Sequence, residues 1–319
     1  MAAETTVTTL NDLVHTQFID PMFLDYSHDH VVASRFLKRY SLIGKSALAY
    51  QVPRWESDMG TVGDNASGVD TEFDATAATD ISSNTELSTA GVTFTPVEYG
   101  FKHTIVDDVF EDSVNAGELM SMIISNAARI IQTAIEADVV ALFAGLATAV
   151  GVSTADLTIA QAIAAADGIY DRGCRAPNGL VYVLDDQQYA DLRNACIASG
   201  ANPATYSMAA DSLLGARAAD NHGLSGDDTP RMWFKGYPVY STGLCATANS
   251  SADVVGAAFT PTGPQNDAFV TFAMVDKRPF RAAVERDESL RASEIVFSTR
   301  VATGEATDDS GTEITTDAP

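Results

Sequence analysis

Residues Arg54–Lys102 read RWESDMGTVGDNASGVDTEFDATAATDISSNTELSTAGVTFTPVEYGFK. Between the two terminal bases there is no Lys or Arg, whereas Glu56, Asp58, Asp64, Asp70, Glu72, Asp74, Asp80, Glu86 and Glu98 are acidic and the filler is Gly, Ala, Ser, Thr and Asn. Such a run carries too little apolar surface to fold on itself. Gln51–Glu56 (QVPRWE) leads into it as an extended segment whose Pro53 favours an edge position. Gly91–Ile105 (GVTFTPVEYGFKHTI) leads out of it, rich in the β-branched and aromatic residues that suit a strand. The two limbs predict a long acidic β-hairpin over 47–105 that reaches away from a body. A hairpin of that length is marginal alone and needs a neighbouring surface to lie on.

On its N-terminal side, Ala2–Tyr40 alternates short apolar clusters with polar residues and is broken by Pro21, which predicts short helices on an extended arm. On its C-terminal side, Asp112 and Ser113 offer N-cap chemistry, and Val114–Gly145 runs without proline. Leu119, Ile123, Ala127, Ile130 and Ala134 recur at helical spacing there, predicting one helix of about 45 Å that packs against a sheet. Asp156–Arg172 and Asp185–Ala198 read as helices flanking a buried strand at Gly179–Leu184. After a loop around Asp220–Pro230, the segments Met232–Thr242, Val254–Phe259 and Ala268–Val275 read as strands. Asp276–Arg300 is densely charged and ends in a long strand through SEIVFSTRVA. Thr303–Pro319, with five acids and no base, is expected to be a mobile tail.

The bulk composition narrows the function classes. With a net charge of −24, the chain repels phosphate backbones unless a basic stripe reverses the field, and no stripe occurs. No apolar run reaches the roughly 20 residues of a spanning helix, and Met1–Leu10 lacks a signal-peptide pattern, so neither membrane insertion nor secretion is expected. Cys174, Cys196 and Cys245 form no CxxC pair, which argues against a disulfide framework or a thiolate zinc site. His28 and His30 beside Asp25 and Asp29 lack further ligands at supporting spacing, so no metal site is expected. Asp107, Asp108, Glu111 and Asp112 lack the Gly and closing Glu of a calcium loop and read as helix-capping acids. GxSxG, GxxxxGK[ST] and a GxGxxG after a strand are all missing, and His103 and His222 have no nucleophile pattern nearby. Catalytic, cofactor-binding and metal residues are therefore expected to be none.

Taken in order, the arm, the long acidic loop, the long helix, the α/β segment and the charged return strand resemble the major capsid proteins of tailed bacteriophages, whose fold encapsulins share. The resemblance covers nearly the whole chain, and Trp233–Thr242 (WFKGYPVYST) and Val284–Ala302 (VERDESLRASEIVFSTRVA) are similar to two of the family's local patterns. It implies an α+β fold divided into an N-terminal arm (1–46), an extended loop (47–105), a peripheral domain with a spine helix (106–155), an axial domain (156–275), a peripheral return strand (276–302) and the acidic tail (303–319). It further implies self-assembly through pentamers and hexamers into an icosahedral shell around double-stranded DNA, located in the virion after assembly in the host cytoplasm. Scaffolding, portal and decoration proteins are the implied partners, with no membrane and no sequence-specific DNA binding. The alternative is an encapsulin shell holding cargo enzymes. The chain begins at its arm, so scaffolding is expected from another protein or not at all.

A like-charged loop reaching a neighbour has to meet bases there. The expected inter-subunit surface therefore joins Arg54, Trp55, Glu56, Phe73 and Phe94 of the loop to Lys277, Arg278, Arg281, Glu285, Arg286 and Arg291 of the return segment. Some relatives crosslink Lys to Asn, and Lys45 and Lys102 flank the loop, but nothing in the chain singles out the other partners.

Overall fold

The computed structural model describes residues 31–55, 89–107, 116–146, 148–153, 155–172, 179–198, 206–208, 230–248, 252–263 and 270–317. The chain divides into two units, one of residues 47–95 and one of residues 1–46 with 96–319. In the smaller unit, β2 (Tyr50–Trp55) pairs antiparallel with β3 (Thr89–Phe94) from Tyr50↔Phe94 to Trp55↔Thr89. The expected hairpin is thus present at its base, but β4 (Val97–Val106) belongs to the larger unit, which corrects the expected end of the loop at residue 105.

The larger unit is built on two sheets. In the first, a four-stranded sheet ordered β1-β12-β13-β4, β12 (Phe272–Asp287) and β13 (Ala292–Glu305) form one long antiparallel hairpin. The single return strand expected over 276–302 is therefore two strands, because Asp287, Ser289 and Leu290 form a turn in which Asp287 Oδ1 accepts from both following backbone N–H groups. Register shifts occur on both sides of Arg278, next to Pro279, which has no N–H to donate to the ladder. β4 pairs along β13, and β1 (Lys38–Ser41) runs parallel to the first part of β12. Short helices on an extended arm were expected over Ala2–Tyr40. Among the described residues of that segment Ala33–Arg35 form a 3-10 turn and Lys38–Tyr40 lie in β1, while residues 1–30 lie outside the described residues.

Helix α1 (Ala116–Ala141), extended by a 3-10 turn at Leu142–Gly145, crosses this sheet. Ala127 and Ile131 bury against Ile105, Ile295 and Phe297, with Ile123 and Ile135 at the margin. Ile130, expected inside, is 42% exposed, because the buried stripe runs through Ile123, Ala127, Ile131 and Ile135 in steps of four. The expected caps Asp112 and Ser113 lie outside the described residues.

The second sheet has eight strands in the order β5-β14-β11-β6-β9-β8-β7, with β10 (Ala246–Ala248) on β11. Here β5 is Ala149–Gly151, β6 Val181–Asp185, β7 Tyr206–Met208, β8 Met232–Phe234, β9 Tyr237–Thr242, β11 Asp253–Phe259 and β14 Gly311–Asp317. MWFKGYPVYST is a hairpin and not one strand: Lys235 and Gly236 adopt φ +49° and +86° in a two-residue turn. α2 (Ile159–Asp171) and α3 (Asp186–Ala198) cover one face, where Ile169, Leu192, Tyr182, Phe234 and Ile314 meet. α2 starts with a capping box between Thr158 and Gln161, and Asp185 caps α3 by accepting from Gln187 N at 2.8 Å. The other face packs Val183, Val255 and Phe259 against Phe143, Phe272 and Met274, so every residue of β11 is buried. Small residues at Gly256–Ala258 fit a strand covered on both sides.

The expected mobile tail is overturned. β14 lies between β5 and β11, with Thr312, Ile314 and Thr316 buried and Asp317 exposed. Its alternation is that of a half-buried strand, and the count of acids concealed it. Arg172 at the end of α2 holds the entry to β14, donating to Asp309 O at 2.9 Å, Gly311 O at 2.6 Å and Thr312 Oγ1 at 3.0 Å. Gln188, fully buried, donates to Val254 O at 3.1 Å and Ile314 O at 2.9 Å and accepts from Asp185 N at 3.2 Å, so one α3 side chain ties β6, β11 and β14. Gly256 makes room for it, since a Cβ there would lie 2.4 Å from Gln188 Oε1.

A chain ending at Glu305 is expected to lose its cooperative thermal transition, because two paired strand edges and a buried face open together. An unchanged melting temperature would mean that β14 is not part of the sheet. Gln188→Ala should lower stability by about 2–3 kcal/mol in urea unfolding, since it strands buried backbone groups.

Candidate self-association surface

β1 ends at Ser41 opposite Asp276, so the outer part of β12, Lys277–Asp287, has no strand on its free side among the described residues. α1 covers β4 and β13 but not this part, and residues 279–286 are exposed on both faces. Apolar groups stand open there: Val284 is 61% exposed, and Phe280, half-exposed, stacks on Phe297 at a centroid distance of 6.0 Å. Val296 on β13 and Leu290 at the hairpin tip are also exposed. An open edge with exposed apolar residues is a template for another chain.

The bases expected to form this surface are largely engaged within their own sheet. Arg278 pairs with Glu98 of β4 across the hairpin. Arg286 makes a bidentate pair with Asp107, both distances 2.7 Å, and reaches Glu288 at 3.2 Å. These carboxylates raise the Arg286 pKa through hydrogen bonds first and Coulomb attraction second. Lys277 donates to the Lys45 carbonyl, and Lys102 pairs with Glu294 at 2.5 Å. Asp107, expected as a helix cap, is thus an ion-pair partner, while Asp108, Glu111 and Asp112 lie outside the described residues. Arg281 and Arg291 have no acidic partner among the described residues, and Arg291 holds φ +47° in the turn while its carbonyl accepts from Asp107 N at 2.9 Å. Glu285 lies directly across from Glu294.

On the loop side, Arg54 and Trp55 are placed in β2 by their backbone, and Glu56 and Phe73 lie outside the described residues. Phe94 is 3% exposed, so it is closed to a partner, which corrects its place in the expected surface. The residues that sequence reasoning missed are Phe280, Val284 and Leu290; their alternation with charges concealed that both faces of the strand are open.

No group of three or more His, Cys, Asp or Glu suited to a metal occurs among the described residues, and His28 and His30 lie outside them. His103 lies half-buried beside Phe101, and burial lowers its pKa. Cys196 and Cys245 are buried thiols whose pKa burial pushes up. No described helix is long and apolar enough to cross a membrane.

No protein-family model matches the chain, and no curated protein matches it by sequence. Solved structures do match. The capsid of an empty GTA particle matches over 100% of both chains, with 13% identity and a TM-score of 0.64. The capsid of cyanophage P-SCSP1u matches over 97% of this chain and 95% of that one, with 13% identity and a TM-score of 0.61. The SrpI encapsulin complex of Synechococcus elongatus matches over 88% of this chain and 85% of that one, with 11% identity and a TM-score of 0.56. The chain has the α+β fold of tailed-phage capsid proteins, which an encapsulin shares.

Arg281→Glu is expected to leave the melting temperature of the dispersed subunit unchanged, because that side chain makes no ion pair among the described residues. Arg286→Glu should lower it, since the new carboxylate faces Asp107 and Glu288. Thermal melts of the two variants side by side check this, and equal effects would contradict the pairing.

Proposed function

We propose that a chain with this fold is a shell subunit: a major capsid protein that assembles through pentamers and hexamers into an icosahedral shell enclosing double-stranded DNA. The observation that carries the proposal is the likeness to shell proteins over essentially the full length of both chains, not over one shared motif. The four-stranded sheet with α1 then corresponds to the peripheral domain, the eight-stranded sheet with α2 and α3 to the axial domain, and residues 47–95 to the extended loop. On this reading the protein resides in the virion and assembles in the host cytoplasm, with itself as its main partner and scaffolding, portal and decoration proteins as further ones. A charge of −24 suits a wall that must not bind the DNA packed against it.

Association on this reading brings the acidic loop of one subunit, with Arg54, Trp55, Glu56 and Phe73, over the β12–β13 hairpin of the next. Arg281 and Arg291 are the bases free to receive it, and Phe280 and Val284 supply apolar contact. Lys277, Arg278, Glu285 and Arg286 shape the same surface from within their own sheet. Each exposed ion pair contributes only about 0–1 kcal/mol, so stability comes from many copies acting together. Weak repeated contacts also let misplaced subunits leave before closure.

The second reading, an encapsulin shell around cargo enzymes, is favoured by the likeness to the SrpI complex. The contents of purified particles decide between the two. Nuclease-protected DNA supports the capsid reading, whereas co-purifying protein cargo without nucleic acid supports the other. Arg281→Glu is expected to cut particle yield at least tenfold while the subunit stays folded, as counted by electron microscopy. Wild-type yield from this variant would remove Arg281 from the contact.

A further inference from the structure

Glu136 of α1 is fully buried, and no cation pairs with it among the described residues. Its carboxylate instead accepts three backbone N–H groups of the arm: Val32 N at 2.7 Å, Ser34 N at 2.9 Å and Ala33 N between them. Val32, Ala33 and Leu37 of the arm and Val139, Val140 and Phe143 of the following helical turns belong to one apolar core cluster. A buried carboxylate without such donors is costly, and these N–H groups begin a turn and have no ladder partners of their own. The two sets satisfy each other.

The same short segment is attached at two further places. Phe36 packs against Tyr240 of β9 in a tilted contact and Phe259 of β11 edge-on, at centroid distances of 5.1 and 6.3 Å, and its carbonyl accepts from Thr262 N at 2.8 Å. Two residues later the chain becomes β1, an edge strand that pairs with β12, and Leu42 N then donates to Asp276 O at 2.8 Å. Val32–Leu42 therefore bridges α1, the eight-stranded sheet and the four-stranded sheet, while lying at the edge of the last.

We propose that Val32–Leu42 is a latch, a segment that docks and releases as a unit without unfolding the rest, with the Glu136 carboxylate as its polar receptor. Glutamate is the residue type that suits this task. With the latch docked, three N–H donors satisfy the carboxylate; with the latch out, water does. An apolar residue would leave the three N–H groups unpaired in the docked state and would face water in the open one. Recognition runs through main-chain N–H groups, so it fixes the position of the segment and not its side chains. Because the latch touches both sheets, its release removes one of the ties between them, leaving the Phe259–Phe272 contact to limit any shift of one against the other. The use of such a shift, giving one subunit more than one shape during assembly, rests on the shell reading; the docking itself does not.

Native-state hydrogen exchange on the dispersed full-length chain at low denaturant tests the latch without requiring a particle. The amides of Val32, Ala33, Ser34 and Leu42 are expected to exchange together, at least tenfold faster than those of Val255, Ala257 and Ile314, through an opening insensitive to denaturant. Glu136→Gln puts an amide NH2 among the donors and should speed the first group at least a further tenfold while leaving the second unchanged. Exchange of both groups through one common opening in the wild-type chain overturns the proposal, and so does a variant that accelerates both equally. The wild-type measurement stands even where the variant does not fold, and a failure of particle formation leaves it untouched.

Discussion

The pairing of β12 with β13 is the constraint on which the rest of the larger unit depends. At its inner end Phe272, Met274 and Val301 lie in the core between the two sheets, packed with Phe143 and Phe259. At its outer end the same two strands carry Arg281, Val284 and Leu290 into solvent. One hairpin is thus both a core element and a projecting surface, and the irregularity at Pro279 marks where the first role gives way to the second. α1 needs β13 and β4 as its floor, β1 needs the inner half of β12, and the approach of the eight-stranded sheet is set by the aromatic contacts at the root. Phe259 of β11 meets Phe272 of β12 at 5.2 Å in an edge-to-face contact, the geometry that aromatic quadrupoles favour.

Charge is distributed with an economy that the net value hides. Among the described residues, the bases of the hairpin are placed where they neutralise acids of the neighbouring strands, Arg278 with Glu98 and Arg286 with Asp107. These pairs are exposed and individually weak, so their main effect is on register and specificity. What they leave unmatched matters more for association. Arg281 and Arg291 face outward beside apolar side chains, while residues 54–102 of the sequence offer acid and no base between their ends.

Much of this architecture was legible in the residues. The helix, strand, helix run from Asp156 to Ala198 was visible because periodicity and caps agree there: Thr158 and Gln161 form the capping box, and Val181–Leu184 is buried throughout. α1 was legible in its extent but not in its inner face, since Ile130 and Ile131 differ only in which of two adjacent stripes meets Phe297. The two largest differences lie at the C-terminal end. In Thr303–Pro319 the charge content suggested solvent where alternation specified a strand, and in 276–302 one strand was expected where the Asp287–Leu290 turn makes two. β14 buries Thr312, Ile314 and Thr316 between acids, and composition averages that alternation away. The candidate surface was legible as a base-rich segment, but pairing within one sheet is a tertiary fact, so nothing in the sequence told Arg281 from Arg286. Glu136 gave no local signal at all, because its partners are separated from it by about a hundred residues.

Self-association into a closed shell is the property on which the shell reading rests. Sedimentation velocity of the purified full-length chain, with electron microscopy of the fastest-sedimenting material, tests it most directly. The account predicts closed shells, or rings of five and six subunits, in equilibrium with dispersed protein. A stable, monodisperse monomer at high concentration, in raised salt and with a crowding agent, would contradict it.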